Sequence, residues 1–296
     1  MSFFTSIDDA RERLAATGYL VDDELATVVF LGGALGKPIL LEGPAGTGKT
    51  ELAKAVAEAA GATLVRLQCY EGLDEARALY EWNYRKQLLR IQAASAESTQ
   101  GGAGLWSELH DDIFAEEFLL SRPLLTAITQ TSATVLLVDE TDKADVEVEG
   151  LLLEVLSEFQ VTVPELGTIT ATQRPFVVLT SNATRELSEA LKRRCLYAHV
   201  DYPDATRERA IVMSRVPEVA QVLAAELVRA VHAMRGLDLR KPPSVAESID
   251  WARAMQALGV EELTDEVIYQ TLGVVLKHQS DRVKVQDQLR LQPPHP

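Results

Sequence analysis

The run Gly43-Pro44-Ala45-Gly46-Thr47-Gly48-Lys49-Thr50 constrains this chain more than any other stretch of it. It satisfies the pattern GxxxxGK[ST] in full, with the apolar run PILLE ahead of it and the helix-forming TELAKAVAEAA behind it. Glycines at these spacings let a backbone turn its N–H groups toward an anion, and the start of the helix adds partial positive charge at the same point. In such a loop Lys49 reaches the β- and γ-phosphates of a nucleotide, and the Thr50 hydroxyl ligates Mg²⁺. A Gly-rich strand-to-helix turn without a ligand is the plain alternative. The strand and helix on either side weigh against it.

Two further apolar runs end in polar residues. Val135-Leu136-Leu137-Val138 is followed by Asp139 and Glu140. Asp139 suits the task of holding a water on Mg²⁺, and Glu140 is the residue type that orients and deprotonates an attacking water. An apolar run ending in Asp-Glu is by itself an ordinary strand end meeting solvent; beside a complete phosphate loop the functional reading is the stronger one. Asp142 and Lys143 read as a local solvated pair. Phe176 to Leu179 is followed by Thr180, Ser181 and Asn182. Parallel strands gather such ends at the carboxyl edge of a sheet, where nucleotides bind, so Asn182 is a candidate to hold the same water. A turn residue after a strand is its bland alternative. The pair Arg193-Arg194 reads locally as a solvated helix end.

Composition narrows the classes. The chain has 296 residues, 47% of them hydrophobic and 25% charged, which excludes wholesale disorder. Its 29 Lys and Arg against 44 Asp and Glu give a net charge of −15, which works against non-specific attraction to nucleic acid or anionic lipid. Cys69 and Cys195 have no CxxC spacing, so neither a disulfide framework nor a thiolate zinc site is expected, and a reducing cytoplasm fits. His110, His199, His232, His278 and His295 are scattered without metal spacing, and no transition metal is expected. MSFFTSIDDARERL lacks the plan of a signal peptide, and VVFLGGALGKPILL is too broken by Gly, Lys and Pro to cross a bilayer as one helix.

Short apolar runs at Ile39–Leu41, Leu64–Leu67, Val135–Val138, Phe176–Leu179 and Tyr197–Val200 read as parallel strands buried on both faces. Helical stretches such as Thr50–Ala60 and Glu147–Phe159 lie between them, which makes an α/β fold with crossover connections. After about Asp201 the pattern is helical only, over Ala205–Val216, Glu218–Arg235, Val245–Leu258 and Thr264–Leu276. Ser244 with Glu247 forms a capping box after Pro242-Pro243. The expected division is therefore a core with N-terminal helices over 1–203 and a helical domain with its tail over 204–296. Ala93–Gly104 reads as a flexible loop, and the tail LQPPHP as frayed. Val161, Val163, Ile169 and Ala171 around Pro164-Glu165-Leu166-Gly167 read as a hairpin. The set Tyr80-Glu81-Trp82-Asn83-Tyr84-Arg85-Lys86 suits a core or protein-contact role better than base stacking in so acidic a chain.

The order GPAGTGKT, LLVDE, LTSN, then EALKRRC before a helical region resembles an AAA+ ATPase, and more narrowly the MoxR family. The segments RLQCYEGLDEARALYEWNYRKQLL, EFQVTVPELGTITA and NATRELSEALKRRCLYAHVDYPD are similar to its CoxD-like branch, which accompanies maturation of carbon monoxide dehydrogenase-type molybdenum enzymes. The resemblance implies an αβα P-loop NTPase core with a five-stranded parallel sheet, a helical lid, and assembly into a ring, often a hexamer. It implies ATP and Mg²⁺ as cofactors, a von Willebrand factor A-domain partner and a protein client, here of molybdenum-enzyme type. It also assigns roles. Asn182 matches the sensor 1 position, and Arg194, with Arg193 as its alternative, matches the arginine finger that reaches a neighbouring subunit's nucleotide. Gln68 falls where related ATPases restrain the catalytic glutamate, and the hairpin is one that in the family commonly faces the ring axis. One departure stands out: the family often has an arginine near the start of the third lid helix, where this chain has Val245, leaving Arg240, Lys241 or Arg253 as substitutes.

Three other functions fit parts of the pattern. A nucleotide-gated scaffold would hydrolyse little alone, a nucleic-acid motor would be stimulated by DNA or RNA, and a small-molecule P-loop kinase would need only the first motif. The acidic charge opposes the second, and the helical region with Arg193-Arg194 opposes the third.

Overall fold

Five strands carry the architecture: β1 (Ile39–Glu42), β2 (Thr63–Gln68), β5 (Thr134–Asp139), β8 (Phe176–Ser181) and β9 (Leu196–His199), in the order β2-β5-β8-β1-β9. The computed structural model describes residues 3–97 and 112–291. The sheet is parallel, with Leu67 beside Val138, Leu137 beside Val178 and Leu40 beside Leu179. Parallel strands need crossovers, which the chain supplies as helices. Every residue of β5 and β8 is buried, as their unbroken apolar runs demand. β2 departs from that expectation: it lies at the sheet edge and exposes Thr63 and Arg66.

The described residues fall into two units. One comprises the described part of Met1–Ala10 with Asp23–Glu42 and Val56–Ala198. It holds the sheet, α2 (Asp23–Leu35), α6 (Pro123–Thr129), α7 (Val146–Glu158) and the six-residue α8 (Glu189–Arg194). Its core joins Leu40, Leu136, Val138, Val177 and Leu179 of the sheet to Leu152 and Val155 of α7 and Leu124 and Ile128 of α6. Trp82, 8% exposed, joins that core from a short ribbon of β3 (Tyr80–Trp82) against β4 (Leu119–Ser121), edge-on to Phe114. This supports the core reading of the aromatic segment for Trp82, while Tyr84 at the start of α5 (Tyr84–Glu97) is exposed. α5 also corrects the loop expected from Ala93: helix persists to Glu97, and Ser98–Gly104 lie outside the described residues.

β6 (Gln160–Val163) and β7 (Gly167–Thr170) form the expected hairpin. The Leu166 N–H returns to the Val163 carbonyl at 3.0 Å, and Gly167, the first residue of β7, takes φ +80°, a left-handed conformation that glycine adopts without strain as the turn closes. Val161 and Val163 are buried in the core and Thr162 points outward, so the period of two sets the packing.

The second unit comprises Arg11–Asp22, Gly43–Ala55 and His199–Pro296 as far as it is described. Its helices α9 (Ala205–Arg215), α10 (Gln221–Arg235), α11 (Val245–Leu258), α12 (Asp265–Val275) and α13 (Gln279–Gln288) share a core around Leu227, Val231, Trp251, Met255 and Leu272. The Ser244 capping box is formed in full at the start of α11. Leu291 packs into this core and is not frayed; residues 292–296 lie outside the described residues. Among the described residues no helix is long and apolar enough to cross a membrane.

Candidate functional site

β1 ends at Glu42 and the glycine loop begins at the next residue. Its backbone is bent where only glycine tolerates it. Gly46 and Gly48 take φ of +75° and +95°, and at Gly43 an added Cβ would fall 2.1 Å from the Val200 carbonyl oxygen. Lys49 opens α3 (Lys49–Ala60) and is 5% exposed. Its Nζ donates to the carbonyls of Gly43 at 2.7 Å and Pro44 at 2.6 Å, so the ammonium is folded back across the loop. The Thr47 hydroxyl donates to the Pro44 carbonyl at 3.1 Å, and the Tyr19 hydroxyl to the Gly48 carbonyl at 3.2 Å. Burial pushes the Tyr19 phenol well above its ordinary pKa, so it stays a donor.

The start of α11 closes on the same loop. Val245 donates its N–H to the Gly46 carbonyl at 3.2 Å, and an added Cβ at Gly46 would lie 2.3 Å from Ser244 Cβ. Position 244–245, which carries no arginine, thus meets the phosphate loop through backbone and a small hydroxyl residue. Of the three cations considered as substitutes, Lys241 lies 3.9 Å from Glu247 of the capping box, Arg253 pairs with Asp250, and Arg240 is tied through its N–H to Asp281. A buried network braces this point. Arg235 makes a two-pronged ion pair with Glu208 at 2.6 and 2.8 Å and donates through Nε to the Pro243 carbonyl at 2.6 Å. His232 and Ser248 complete the Glu208 carboxylate at 2.8 and 2.6 Å.

The second cluster stands at the carboxyl ends of β2, β5 and β8. Asp139 is 3% exposed; its Oδ1 accepts from the Thr180 hydroxyl at 2.6 Å and its Oδ2 from Arg66 at 2.6 Å. Glu140 follows in a left-handed conformation, φ 56°, and its N–H donates to the same Thr180 oxygen at 2.9 Å. A non-glycine residue held there stores backbone strain, a feature that clusters at functional sites. Gln68 Nε2 donates to Glu140 Oε2 at 3.0 Å, so this glutamine touches the candidate base directly. Cys69 lies close by. Burial, and then the Asp139, Asp142 and Glu140 carboxylates, push its thiol up to about 12.

Asp142 corrects the sequence reading. It is 3% exposed and not a solvated partner of Lys143: it accepts the Asn182 N–H at 3.2 Å, the Thr184 N–H at 3.1 Å and the Thr184 hydroxyl at 2.5 Å. Burial alone would raise its pKa, but these donors outweigh burial and hold it below the usual range. Asp142 therefore fixes the chain at Asn182, whose side-chain amide makes no hydrogen bond among the described residues. Glu149 of α7 does the same further on, taking the Ser188 N–H at 2.9 Å and the Arg185 guanidinium. Arg194 donates to Ser157 Oγ at 2.7 Å and to the Ala190 carbonyl at 3.1 Å. Arg193 is exposed and makes no hydrogen bond or ion pair among the described residues. Arg66 is not singled out in the sequence, Thr180 reads there only as part of a polar strand end, and Ser244 only as a helix cap. Thr180 and Arg66 sit on strands beside the carboxylates, and one strand register apart is a relation that only pairing reveals.

A five-stranded parallel sheet whose first strand runs directly into GPAGTGKT defines a P-loop NTPase core. The chain belongs to the AAA domain family, dynein-related subfamily, whose family model matches residues 38–195. That family is one of nucleotide-dependent ATPases. Among solved structures, the crystal structure of the FIGL-1 AAA domain in complex with ADP is similar at 17% identity and a TM-score of 0.41, covering 88% of this chain and 73% of that one. No curated protein matches the sequence.

Proposed function

We propose that this chain is a Mg²⁺-dependent ATPase of MoxR type and CoxD-like branch, divided at about residue 203 into core and lid, that remodels or matures a partner protein. The observation that carries the reading is the pairing of a strained Glu140 with a buried Asp139 through one Thr180 hydroxyl. Such an arrangement holds a base and a metal-side carboxylate at fixed spacing, as hydrolysis of a phosphoanhydride requires.

In this reading the amides of residues 43–50 and the Lys49 ammonium bind the phosphates. Thr50 and Asp139 supply hard oxygen donors of the kind Mg²⁺ takes, most of its other ligands being water and phosphate. When bound, Mg²⁺ neutralises charge on the β- and γ-phosphate oxygens. Glu140 takes the proton of the attacking water, and Asn182, whose side-chain amide has no partner among the described residues, orients that water. An arginine from a neighbouring copy in a ring, hexameric in the family's manner, stabilises developing charge and contributes about 10³–10⁵ in rate. Arg194 matches the family position, and the exposed Arg193 is its neighbour and alternative. A von Willebrand factor A-domain protein and a molybdenum-enzyme client are the partners that the MoxR resemblance supports.

Glu140→Gln tests the base: it should keep ATP binding and abolish phosphate release, and normal turnover would remove Glu140 from the mechanism. Mixing Arg194→Ala with Lys49→Ala tests the ring, because hybrid boundaries should regain activity. Absence of rescue at every ratio, for Arg194 and for Arg193, would argue against a site shared between copies. Capture of host proteins by Glu140→Gln in ATP identifies the client.

A further inference from the structure

Arg66 has no role in the mechanism above, yet it touches one carboxylate of the cluster directly and reaches the other through Gln68. Its Nη2 donates to Asp139 Oδ2 at 2.6 Å and also to Gln68 Oε1. Gln68 then presents its other end, Nε2, to Glu140 Oε2 at 3.0 Å. An amide has one accepting and one donating end, so a cation on the oxygen dictates that the nitrogen faces away from it. Arg66 and Gln68 are two apart on edge strand β2 and therefore share a face, toward the end of neighbouring β5. The Arg66 side chain is 49% exposed and the Asp139 side chain 4%. The guanidinium is thus half in water while the carboxylate it meets is buried, so a cation arriving from solvent at Asp139 meets Arg66 first.

We propose that Arg66 is a positioning residue that couples the metal-side carboxylate Asp139 to the base Glu140, by fixing the direction of the Gln68 amide. A divalent cation drawn to Asp139 opposes the guanidinium beside it. Displacement of Arg66 frees Gln68 Oε1, the amide loses its fixed direction, and Glu140 is released to act. The inference rests on the ATPase reading above and adds a link between metal arrival and base release.

The test compares Arg66→Ala, Arg66→Lys and Gln68→Leu with the wild-type full chain. Mg²⁺ is titrated at fixed fluorescent ADP to read the apparent metal affinity, and steady-state phosphate release is measured separately. Arg66→Ala should bind Mg²⁺ roughly three- to tenfold more tightly in the ADP complex, since a competing cation is gone. Its kcat should rise severalfold with KM little changed. Arg66→Lys keeps the charge but not the planar fork, so Mg²⁺ affinity should stay near wild type while kcat follows Arg66→Ala. Gln68→Leu should raise kcat alone, and the double variant Arg66→Ala, Gln68→Leu should show no further rise, as expected for residues acting in series. Additive effects on kcat, or an Arg66→Ala variant matching wild type in both Mg²⁺ affinity and kcat, would overturn the coupling while leaving the ATPase reading intact. A wild-type chain with neither Mg²⁺-dependent nucleotide binding nor turnover removes the ATPase reading first, and the coupling with it.

Discussion

Thr180 donates its hydroxyl to Asp139 at 2.6 Å, which fastens the end of β8 to the end of β5. Because the same oxygen accepts the Glu140 N–H, one side chain orients both carboxylate residues. Thr180→Val keeps the shape and removes both bonds. It should lower phosphate release about 10–100-fold, as loss of an outer partner of a metal-side ligand does, and destabilise the fold by about 1–3 kcal/mol through the buried N–H left unmade. Thr180→Ser should recover most of both in denaturant melts and turnover assays.

Gly46 faces two separate obstacles to any side chain: φ of +75° and Ser244 Cβ at 2.3 Å. Gly61 has a similar φ of +61° with no described residue within 4 Å of an added Cβ. Left-handed strain alone costs about 1–2 kcal/mol. Gly61→Ala should lose that much stability and keep nucleotide affinity. Gly46→Ala should lose nucleotide affinity as well, by at least about tenfold in a fluorescent-ADP titration, because the loop or the start of α11 has to shift.

The Glu208 carboxylate is fully buried and depends on Arg235, which is itself 9% exposed in its side chain. Arg235→Ala leaves that charge without its main partner and should cost about 3–5 kcal/mol in urea unfolding. Removing both charges together, as Arg235→Met with Glu208→Leu, should cost much less. A double variant no better than Arg235→Ala would show that the hydrogen bond to the Pro243 carbonyl, and not the buried charge, is what matters.

Acid should loosen the sheet-bearing unit at two buried carboxylates. Burial would raise both Asp142 and Glu149, but the donors from Thr184 and Asn182, and from Ser188 and Arg185, bring them below their ordinary values. A depressed folded pKa gives stability that is present above the unfolded value, near 4, and is lost as pH falls through the folded one. Asp142→Asn should therefore be less stable than wild type at pH 7 and converge with it below about pH 4. Melts recorded from pH 7 to pH 2.5 check the convergence.

The sequence disclosed the five sheet strands and the loop because each is a local pattern: an apolar run of four to six residues, or eight residues of fixed type. Predicted strand ends lay within a residue or two of Thr63–Gln68 and Phe176–Ser181. The three-residue strands β3 and β4 are too short to show a period, and α13 has little apolar face, so neither was legible. Asp142 was misread for a different reason. A carboxylate beside a lysine in sequence looks solvated, and only tertiary folding brings the Asn182 and Thr184 donors to it across some forty residues. Arg66 and Thr180 are equally invisible, since their partners lie on other strands.

Both native thiols are poor nucleophiles. Burial pushes Cys69 and Cys195 up to about 12, leaving a thiolate fraction on the order of 10⁻⁵ at neutral pH. A cysteine placed at exposed Glu165, on the tip of the hairpin, would react with maleimide far faster than either. A fluorophore could thus be mounted there on the unaltered background and used to follow how that tip moves during turnover.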